Sequence, residues 1–475
     1  MPRLAPSLVR RAGTISPHLA TLLPACRTLA SAQTELRWIR RHVLDTQPSR
    51  SRPLSERSTQ RDALAQLNGE EPRRRRAGRR VDRRLLRANL SLQGRSTRRA
   101  GSNTASDRVA RLVARRGAGE PLQYVLGSQP FGDLEVLCER GVLIPRPETE
   151  AWAAMLADLV LSSPAGSELG GSLRILDLCS GTGCIGLSLY ARTIATRAGR
   201  DKGGDLDLAH RVRVFGFDVE PRAVRLARRN LARNFPGSRI SDGAVVFRHA
   251  DIFTDGWMAC LDETKSLRYE DGVKRDPGRR VDILVSNPPY ISQRGFNVDT
   301  GRSVRNYEPK LALVPSGLPP FSINPIFAAG SSITSTPCAP EDIFYKRLLD
   351  ISDALRPRIA VFEVGDMAQA IRVVEMAITR SRPQHRLGID VDETRQGDGV
   401  EPRGQTVARW DILEIWRDWP DCQPSDAEKE VIRVSGREVP VRGSGHGRVV
   451  FLVEGQMTWN RFVNRGFRRE VYTRS

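Results

Sequence analysis

An amide, two prolines and an aromatic ring follow one another at the end of a predicted buried strand. They are Asn287, Pro288, Pro289 and Tyr290, directly after the largely apolar segment 281–286. Proline has no N–H for a sheet ladder and fixes its own backbone angle, so the chain must turn there. Such a turn can hold a planar –NH2 group, because Asn287 Oδ1 and the Pro288 carbonyl can accept its two hydrogens. With Tyr290 stacked on the plane, the pattern predicts a site that presents this nitrogen to an electrophile.

A glycine-containing loop follows an earlier predicted strand, Leu173–Leu178, and opens a helix predicted over 184–192. Glycine tolerates positive φ and lets a ligand approach the backbone closely. The loop is not a Walker loop, since no Lys-Ser/Thr pair follows it, and it matches only part of the dinucleotide-binding pattern. The loop residues expected to bind a nucleotide-like cofactor are Asp177, Leu178, Cys179, Ser180, Gly181, Thr182 and Gly183.

Acidic side chains end the next two predicted strands and would complete that site. Asp218 follows a strand at 212–217 and is placed to accept the two hydroxyls of a ribose; Asp251 follows a strand at 245–247 and would lie near an adenine. Strands alternate with helices through this region, which predicts a parallel, doubly wound sheet. Such sheets bind ligands at the carboxyl ends of their strands. The glycine loop, the two acids and Asn287 should therefore face one cleft.

Three further segments, together with these two sites, resemble one methyltransferase family. The segments are Gly119–Gly127 (Gly-Glu-Pro-Leu-Gln-Tyr-Val-Leu-Gly), Val142–Glu150 (Val-Leu-Ile-Pro-Arg-Pro-Glu-Thr-Glu) and Tyr307-Glu308-Pro309 followed by Leu311-Ala312-Leu313. Over about residues 105–415 the chain resembles the protein-(glutamine-N5) methyltransferases of the HemK or PrmC type. The resemblance implies methylation of the glutamine in the Gly-Gly-Gln motif of peptide-chain release factors. It implies an α/β class I S-adenosylmethionine-dependent methyltransferase fold, with a Rossmann-like, mostly parallel seven-stranded sheet and a small N-terminal helical domain.

The resemblance also implies roles for individual residues. The cofactor, S-adenosyl-L-methionine, would contact the seven loop residues named above together with Asp218, Asp251, Ile252, Phe131 and Asn287. The substrate amide would contact Asn287, Pro288, Pro289 and Tyr290, and the cleft beside it would be lined by Pro145, Arg146 and Glu148. No metal site is expected, because the seven cysteines are scattered and the histidines do not cluster with them.

The N-terminal part of the chain differs in composition from the rest. Residues 1–34 contain arginine but no Asp or Glu, as mitochondrial transit peptides do. We expect a helical, substrate-binding domain over residues 35–118. A segment at 46–100 with sixteen arginines and five acidic residues interrupts it. That composition indicates a disordered insertion or an RNA-contacting arm. We expect a methyltransferase domain over 119–420, surface insertions near 193–210, 261–279 and 315–340, and a linker and C-terminal extension over 421–475.

The net charge of +20 over 475 residues favours an anionic partner such as RNA or a ribosome. No apolar run approaches the ~18 residues that span a bilayer, so no membrane association is expected. The family resemblance, with the transit-like start, implies the mitochondrial member of the family, and the insertions and the segment Trp410–Trp416 resemble fungal versions. It implies a monomeric protein of the mitochondrial matrix that acts on a mitochondrial class I release factor. Two alternatives stay open. One is a DNA or RNA adenine amino-methyltransferase, since Asn-Pro-Pro-Tyr also occurs there. The other is a non-catalytic mitochondrial RNA- or ribosome-binding protein on a methyltransferase fold.

Overall fold

A computed structural model describes residues 4–46, 104–162, 173–200, 212–236, 243–261, 281–315, 338–382 and 407–454. The chain divides into two compact units, Met1–Leu126 and Gly127–Ser475. The sequence placed this boundary after residue 118 rather than after residue 126. Most residues of the insertions predicted at 46–100, 261–279 and 315–340 lie outside the described residues. Residues 201–211, which include most of the insertion predicted near 193–210, also lie outside them.

The first unit is built of helices with local start signals. Its described helices are α1 Pro6–Ile15, α2 Pro17–Cys26, α3 Leu29–Asp45, α4 Ala105–Gly117 and α5 Leu122–Leu126. Pro6 and Pro17 open α1 and α2 at positions where a missing N–H costs nothing. Thr104 caps α4, since its hydroxyl accepts from the N–H of Asp107 while the Asp107 carboxylate accepts from the N–H of Thr104.

The segment 1–34, predicted as a transit peptide, contributes core side chains to the helical unit. Leu19, Leu22 and Leu23 of α2 are at most 3% exposed and pack in one apolar cluster with Ile39 of α3. Removal of the whole segment would take away α1, α2 and the start of α3. The apolar surface left behind would face water, at a cost of about 25 cal/mol per Å². The transit peptide over 1–34 stays a prediction, and the described residues 4–34 pack within the helical unit.

The second unit contains a large sheet and two smaller strand pairs. Its strands are β1 Ser128–Phe131, β2 Leu134–Leu137, β3 Leu173–Leu178, β4 Val212–Asp218, β5 Val245–His249, β6 Ile283–Ser286, β7 Ile359–Glu363, β8 Ser381–Arg382, β9 Val407–Ala408, β10 Ile412–Trp419, β11 Val431–Val434, β12 Arg437–Arg442 and β13 Ser444–Val453. The nine-stranded sheet has the order β11-β12-β10-β13-β7-β6-β3-β4-β5, whereas β1–β2 and β8–β9 pair separately. Strands β3 to β7 run parallel, and β13 is antiparallel to both of its neighbours.

Seven strands of this sheet, from β5 through β13 to β10, have the order of a class I methyltransferase, with one antiparallel strand next to the last. The predicted fold class is thus confirmed. The segment 421–475, expected as a linker and C-terminal extension, is described only over 421–454, and that part belongs largely to the sheet. It contains β11, β12 and β13, and β13 lies between β10 and β7 with Val449–Leu452 fully buried. Polar residues at 421–430 imitate a linker in the sequence, but the continuous apolar run after them is typical of a buried strand.

Helices cover the sheet and complete two apolar cores. They are α6 Pro147–Ser162, α7 Cys184–Arg200, α8 Pro221–Asn234, α9 Gln293–Val298, α10 Arg302–Tyr307, α11 Ile343–Leu355 and α12 Met367–Ile378. One core contains buried residues of α6, α7 and α8, and the other those of α11 and α12. Helix α7 continues to Arg200, so the insertion predicted to begin at 193 begins later. Within the described ranges, no helix has the length and apolarity to cross a bilayer.

Candidate functional site

The carboxyl ends of β3, β4, β6 and β7 meet at one edge of the sheet, because these strands run parallel. The loop after β3 begins at this edge. Its shape depends on three residues with positive φ. Cys179, Gly181 and Gly183 have φ values of 60°, 54° and 77°, in the region that favours glycine. A Cβ at Gly183 would lie 2.7 Å from Phe247 Cζ, whereas a Cβ at Gly181 would meet nothing within 4 Å. The backbone therefore borders open space at Gly181.

Asp177 lies under this loop with no exposed surface. Its Oδ2 accepts the N–H of Gly186 at 3.0 Å. Its Oδ1 and the Ser180 Oγ are buried atoms that have no hydrogen-bond partner among the described residues. Burial and the nearby Asp218 raise the pKa of Asp177 to about 7. Because buried polar atoms are nearly always paired, the two unpaired oxygens fit a loop that a polar ligand completes.

Asp218, at the end of β4, holds the loop in place through its carboxylate. Oδ2 accepts the N–H of Gly181 and Oδ1 accepts the N–H of Glu220, both at 2.8 Å. Burial raises the pKa of Asp218, although these two hydrogen bonds act against the rise. Each carboxylate oxygen has a second lone pair. The group can therefore accept two further hydroxyls, as a ribose would supply, without releasing the loop.

The other residues predicted for the cofactor lie in different surroundings. Asp251 is exposed after β5, where the N–H of Ala250 donates to the Asp218 carbonyl at 3.0 Å. This contact keeps Asp251 at the same edge as the loop. Ile252 is 4% exposed and packs in the apolar cluster of α11 and α12. Phe131 has no exposed surface and belongs to the opposite cluster, so the structure places it inside the core.

The tetrapeptide follows β6 at this edge. The Ser286 hydroxyl donates to the Leu178 carbonyl at 2.8 Å and ties the end of β6 to the end of β3. Pro288 is buried and Asn287 is partly exposed. The Asn287 amide donates from Nδ2 to Thr149 Oγ1 at 3.4 Å. Its Oδ1 is thereby directed away from the threonine.

A buried carboxylate, Glu363, joins both ends of the tetrapeptide. It ends β7 and is 1% exposed. Its Oε2 accepts from Thr149 Oγ1 and from Trp152 Nε1, each at 2.7 Å, and its Oε1 accepts from the Tyr290 hydroxyl at 3.2 Å. Burial raises the pKa of Glu363, and the three donors oppose that rise. One carboxylate thus contacts Tyr290 directly and Asn287 through Thr149.

The segments 142–150 and 307–309 lie against each other beside this network. Arg146 Nη2 lies 2.9 Å from both carboxylate oxygens of Glu308, and Oε2 of that glutamate also accepts the N–H of Ile144 at 3.1 Å. Pro145 is buried next to the pair, whereas Glu148 is partly exposed in the first turn of α6. Arg146 is therefore engaged within the protein rather than directed freely into the cleft.

Sequence reasoning missed Thr149, Trp152, Glu308 and Glu363 as site residues. Thr149 and Glu308 stood inside segments that carried the resemblance, but nothing in either segment indicated a partner. Glu363 had one signal, its position near the end of a strand that the sequence predicts over 359–364. None of the described residues forms a cluster of three or more His, Cys, Asp or Glu that could hold a metal ion.

Comparisons with known proteins identify the family. No family model matches the chain. The mitochondrial MRF1 N(5)-glutamine methyltransferase MTQ1 of Saccharomyces cerevisiae is 30% identical over 314 residues, 66% of this chain and 68% of that protein. The chain belongs to the N(5)-glutamine methyltransferase family. The Vibrio cholerae release factor glutamine methyltransferase, 34% identical over 203 residues, is matched over 43% of this chain and about half (53%) of its own length.

Solved structures are more distant from this N(5)-glutamine methyltransferase. The tRNA (uracil-54, C5)-methyltransferase of Pyrococcus abyssi, in complex with S-adenosyl-L-homocysteine, has a TM-score of 0.24 and 18% identity over 52% of this chain and 37% of that one. The catalytic domain of hMettl16 has a TM-score of 0.30 and 17% identity over 57% of this chain and 74% of that one. TM-scores this low do not support a fold assignment, so the assignment rests on the strand order of the sheet. The predicted family and enzyme class are confirmed by the sequence relatives.

Proposed function

We propose that the protein transfers the methyl group of S-adenosylmethionine to the side-chain amide nitrogen of the glutamine in the Gly-Gly-Gln motif of a mitochondrial class I release factor. Family membership supports the reaction class. The observation that carries the proposal for this chain is the orientation of Asn287. Its Nδ2 is engaged by Thr149, so its Oδ1 is the atom left to accept a hydrogen from a substrate amide. The nucleic-acid alternative is not favoured, because the curated relatives are named as glutamine methyltransferases.

The residues around the glycine loop suit S-adenosylmethionine. The open space at Gly181 admits the ligand close to the backbone, and Asp218 can accept the ribose hydroxyls. The unpaired Asp177 Oδ1 and Ser180 Oγ lie in the same loop and can contact its polar groups directly or through water. Asp251 and Ile252 would flank the adenine. When bound, the cofactor supplies a methyl group on a positively charged sulfur, which is a strong electrophile.

The protein contributes position and polarity to the reaction. An amide nitrogen is a poor nucleophile, because its lone pair is delocalised into the carbonyl. Asn287 Oδ1 and the Pro288 carbonyl accept the two amide hydrogens, which raises the electron density on nitrogen, and Tyr290 packs on the amide plane. Fixed acceptors of this kind lower the barrier by orientation and by preorganised dipoles. The C–N bond would form as the C–S bond of the donor breaks and leaves its electron pair on sulfur. The nitrogen then loses one proton to water, so no strong base is needed.

The remaining proposals concern the setting of the reaction. Two relatives are named as mitochondrial MRF1 methyltransferases, which supports a mitochondrial location, and we place the enzyme in the matrix, where a mitochondrial release factor works. We propose the helical unit as the part that helps to bind the release factor. Contact of the Arg-rich segment 46–100 with RNA and a monomeric state are further proposals, and that segment falls outside the described residues.

The test is methyl transfer from labelled S-adenosylmethionine to a recombinant mitochondrial release factor, run beside a copy in which the glutamine of Gly-Gly-Gln is changed to alanine. Label on the first protein and none on the second supports both the substrate and the modified residue. Label on neither, while the cofactor still binds, contradicts the proposed substrate. A parallel reaction with nucleic acid as the methyl acceptor tests the alternative directly.

A further inference from the structure

The hydroxyl hydrogens around Glu363 have only one consistent arrangement when that carboxylate is ionised. An ionised carboxylate accepts hydrogen bonds and cannot donate them. The hydroxyls of Thr149 and Tyr290 must therefore both donate to Glu363. Because the Thr149 hydroxyl hydrogen is used by Glu363, Thr149 Oγ1 can only accept a hydrogen bond from Asn287. The –NH2 group of the Asn287 amide must therefore face Thr149. This agrees with the observed contact from Asn287 Nδ2.

We propose that Thr149 and Glu363 are positioning residues that set the direction of the Asn287 amide and the Tyr290 ring for methyl transfer. Neither residue needs to touch the substrate. The inference rests on the proposed function for its kinetic consequence, but the orientation of Asn287 is a property of the protein alone.

The hydrogen bonds that link Glu363 through Thr149 to Asn287, here called the relay, are held by rigid secondary structure. Glu363 lies in the sheet, where it pairs with Val449 of β13, and Thr149 and Trp152 stand one turn apart on α6, so both reach the same carboxylate oxygen. Functional side chains are held best by packed helices and strands. The side chains that orient the site therefore come from α6 and β7, whereas the side chains they orient come from the turn after β6.

Loss of the relay would free the Asn287 amide to rotate. The amide could then present its –NH2 group to the –NH2 group of the substrate, and two donors would face each other without an acceptor. The substrate nitrogen would lose one of its two hydrogen bonds and its alignment. A misplacement of about 1 Å can reduce a rate by roughly 10²-fold.

The kinetic test compares Thr149→Val, which keeps the size and removes the hydroxyl, with Thr149→Ser, which keeps the hydroxyl. We expect Thr149→Val to lower kcat for the release factor by about 10- to 100-fold, with KM and cofactor affinity within about twofold, and Thr149→Ser to recover most of the rate. Thr193→Val is the matched control, because Thr193 is also buried and donates to the Leu189 carbonyl within α7. An unchanged kcat in Thr149→Val, or a loss equal to that of Thr193→Val, overturns the inference.

A crystal structure of Thr149→Val tests the orientation without any substrate. We expect the Asn287 side chain to turn or to occupy two positions, while the fold and the Tyr290–Glu363 contact persist. An Asn287 amide that keeps its wild-type position and hydrogen-bond pattern overturns the inference. If the wild-type enzyme transfers no methyl group to the release factor, the proposed function fails, and this structural comparison alone still decides whether Thr149 positions Asn287.

Discussion

The two halves of the carboxyl edge are held in shape by different means. In the cofactor half, residues 177–186 with Asp218, the constraints are positive φ values, a close approach at Gly183 and hydrogen bonds from backbone N–H groups. In the amide half, formed by Asn287–Tyr290, Thr149 and Glu363, they are hydrogen bonds between side chains. Added atoms should therefore damage the first half, and removed donors or acceptors should damage the second.

The largest effect is expected where the amide half loses its acceptor. Asn287→Ala removes the oxygen that we assign to the substrate amide, so kcat should fall by about 10²- to 10³-fold. Asn287 is also expected to contact the cofactor, but cofactor affinity should fall much less than kcat, because the loop after β3 keeps its own hydrogen bonds. Single-turnover methyl transfer and calorimetric cofactor binding measure the two quantities separately. Asn297→Ala, at an exposed position of α9, is the control, and near-wild-type turnover by Asn287→Ala would rule out the assignment.

One methyl group added to the cofactor half should lower both its stability and its affinity for the cofactor. Gly183→Ala places a Cβ 2.7 Å from Phe247 Cζ at a φ of +77°. We expect the free energy of unfolding to fall by about 2–4 kcal/mol, from the left-handed conformation and the overpacking together, and cofactor affinity to fall with it. Chemical denaturation measures the change.

Gly243→Ala separates these two causes. Gly243 has a φ of +78°, but nothing lies within 4 Å of its added Cβ, so only the strain of about 1–2 kcal/mol is expected. Equal losses of stability in both variants would show that the contact with Phe247 is unimportant.

The sequence predicted the cofactor half more completely than the amide half for the same physical reason. A backbone loop is encoded by a few adjacent residues, so Gly181 and Gly183 after an apolar strand were sufficient. The parallel strands from β3 to β7 were also predicted, since each is a largely apolar run. The acid at the end of β4 followed from the same pattern.

The amide half depends on residues that are distant in the sequence. Thr149 and Glu363 are separated by 214 positions, and a threonine in a helix or a glutamate at a strand end has no local signal for its partner. The ring of Phe131 has no exposed surface, and its role toward the cofactor stays a prediction. Composition also gave no signal for the ordered contacts of α1, α2, β11 and β12.

The buried acid of the cofactor half should make stability depend on pH. The pKa of Asp177 is raised to about 7, above its usual value of about 3.9, so the folded state binds this proton more tightly than the unfolded state. Its contribution to stability is therefore complete below pH ~4 and is lost as the pH rises through about 7.

Asp177→Asn should flatten the curve of unfolding free energy against pH between about 4 and 7. Denaturation at a series of pH values measures it, and the exposed Asp133→Asn should leave the slope unchanged. A slope in Asp177→Asn equal to that of wild type would show that another group is responsible, since burial also raises the pKa of Asp218 and of Glu363.

The smallest effect is expected from the hydroxyl of Tyr290. Tyr290→Phe keeps the ring that we place on the amide plane and removes one hydrogen bond of 3.2 Å to Glu363, worth about 1 kcal/mol, so kcat should fall by about fivefold. Glu363 keeps its donors Thr149 and Trp152 on the other oxygen, which should preserve Asn287. Tyr290→Ala also removes the ring and should cost much more. If the two variants lost the same activity, the ring would have no role in holding the amide, and the amide half would depend on Glu363 alone.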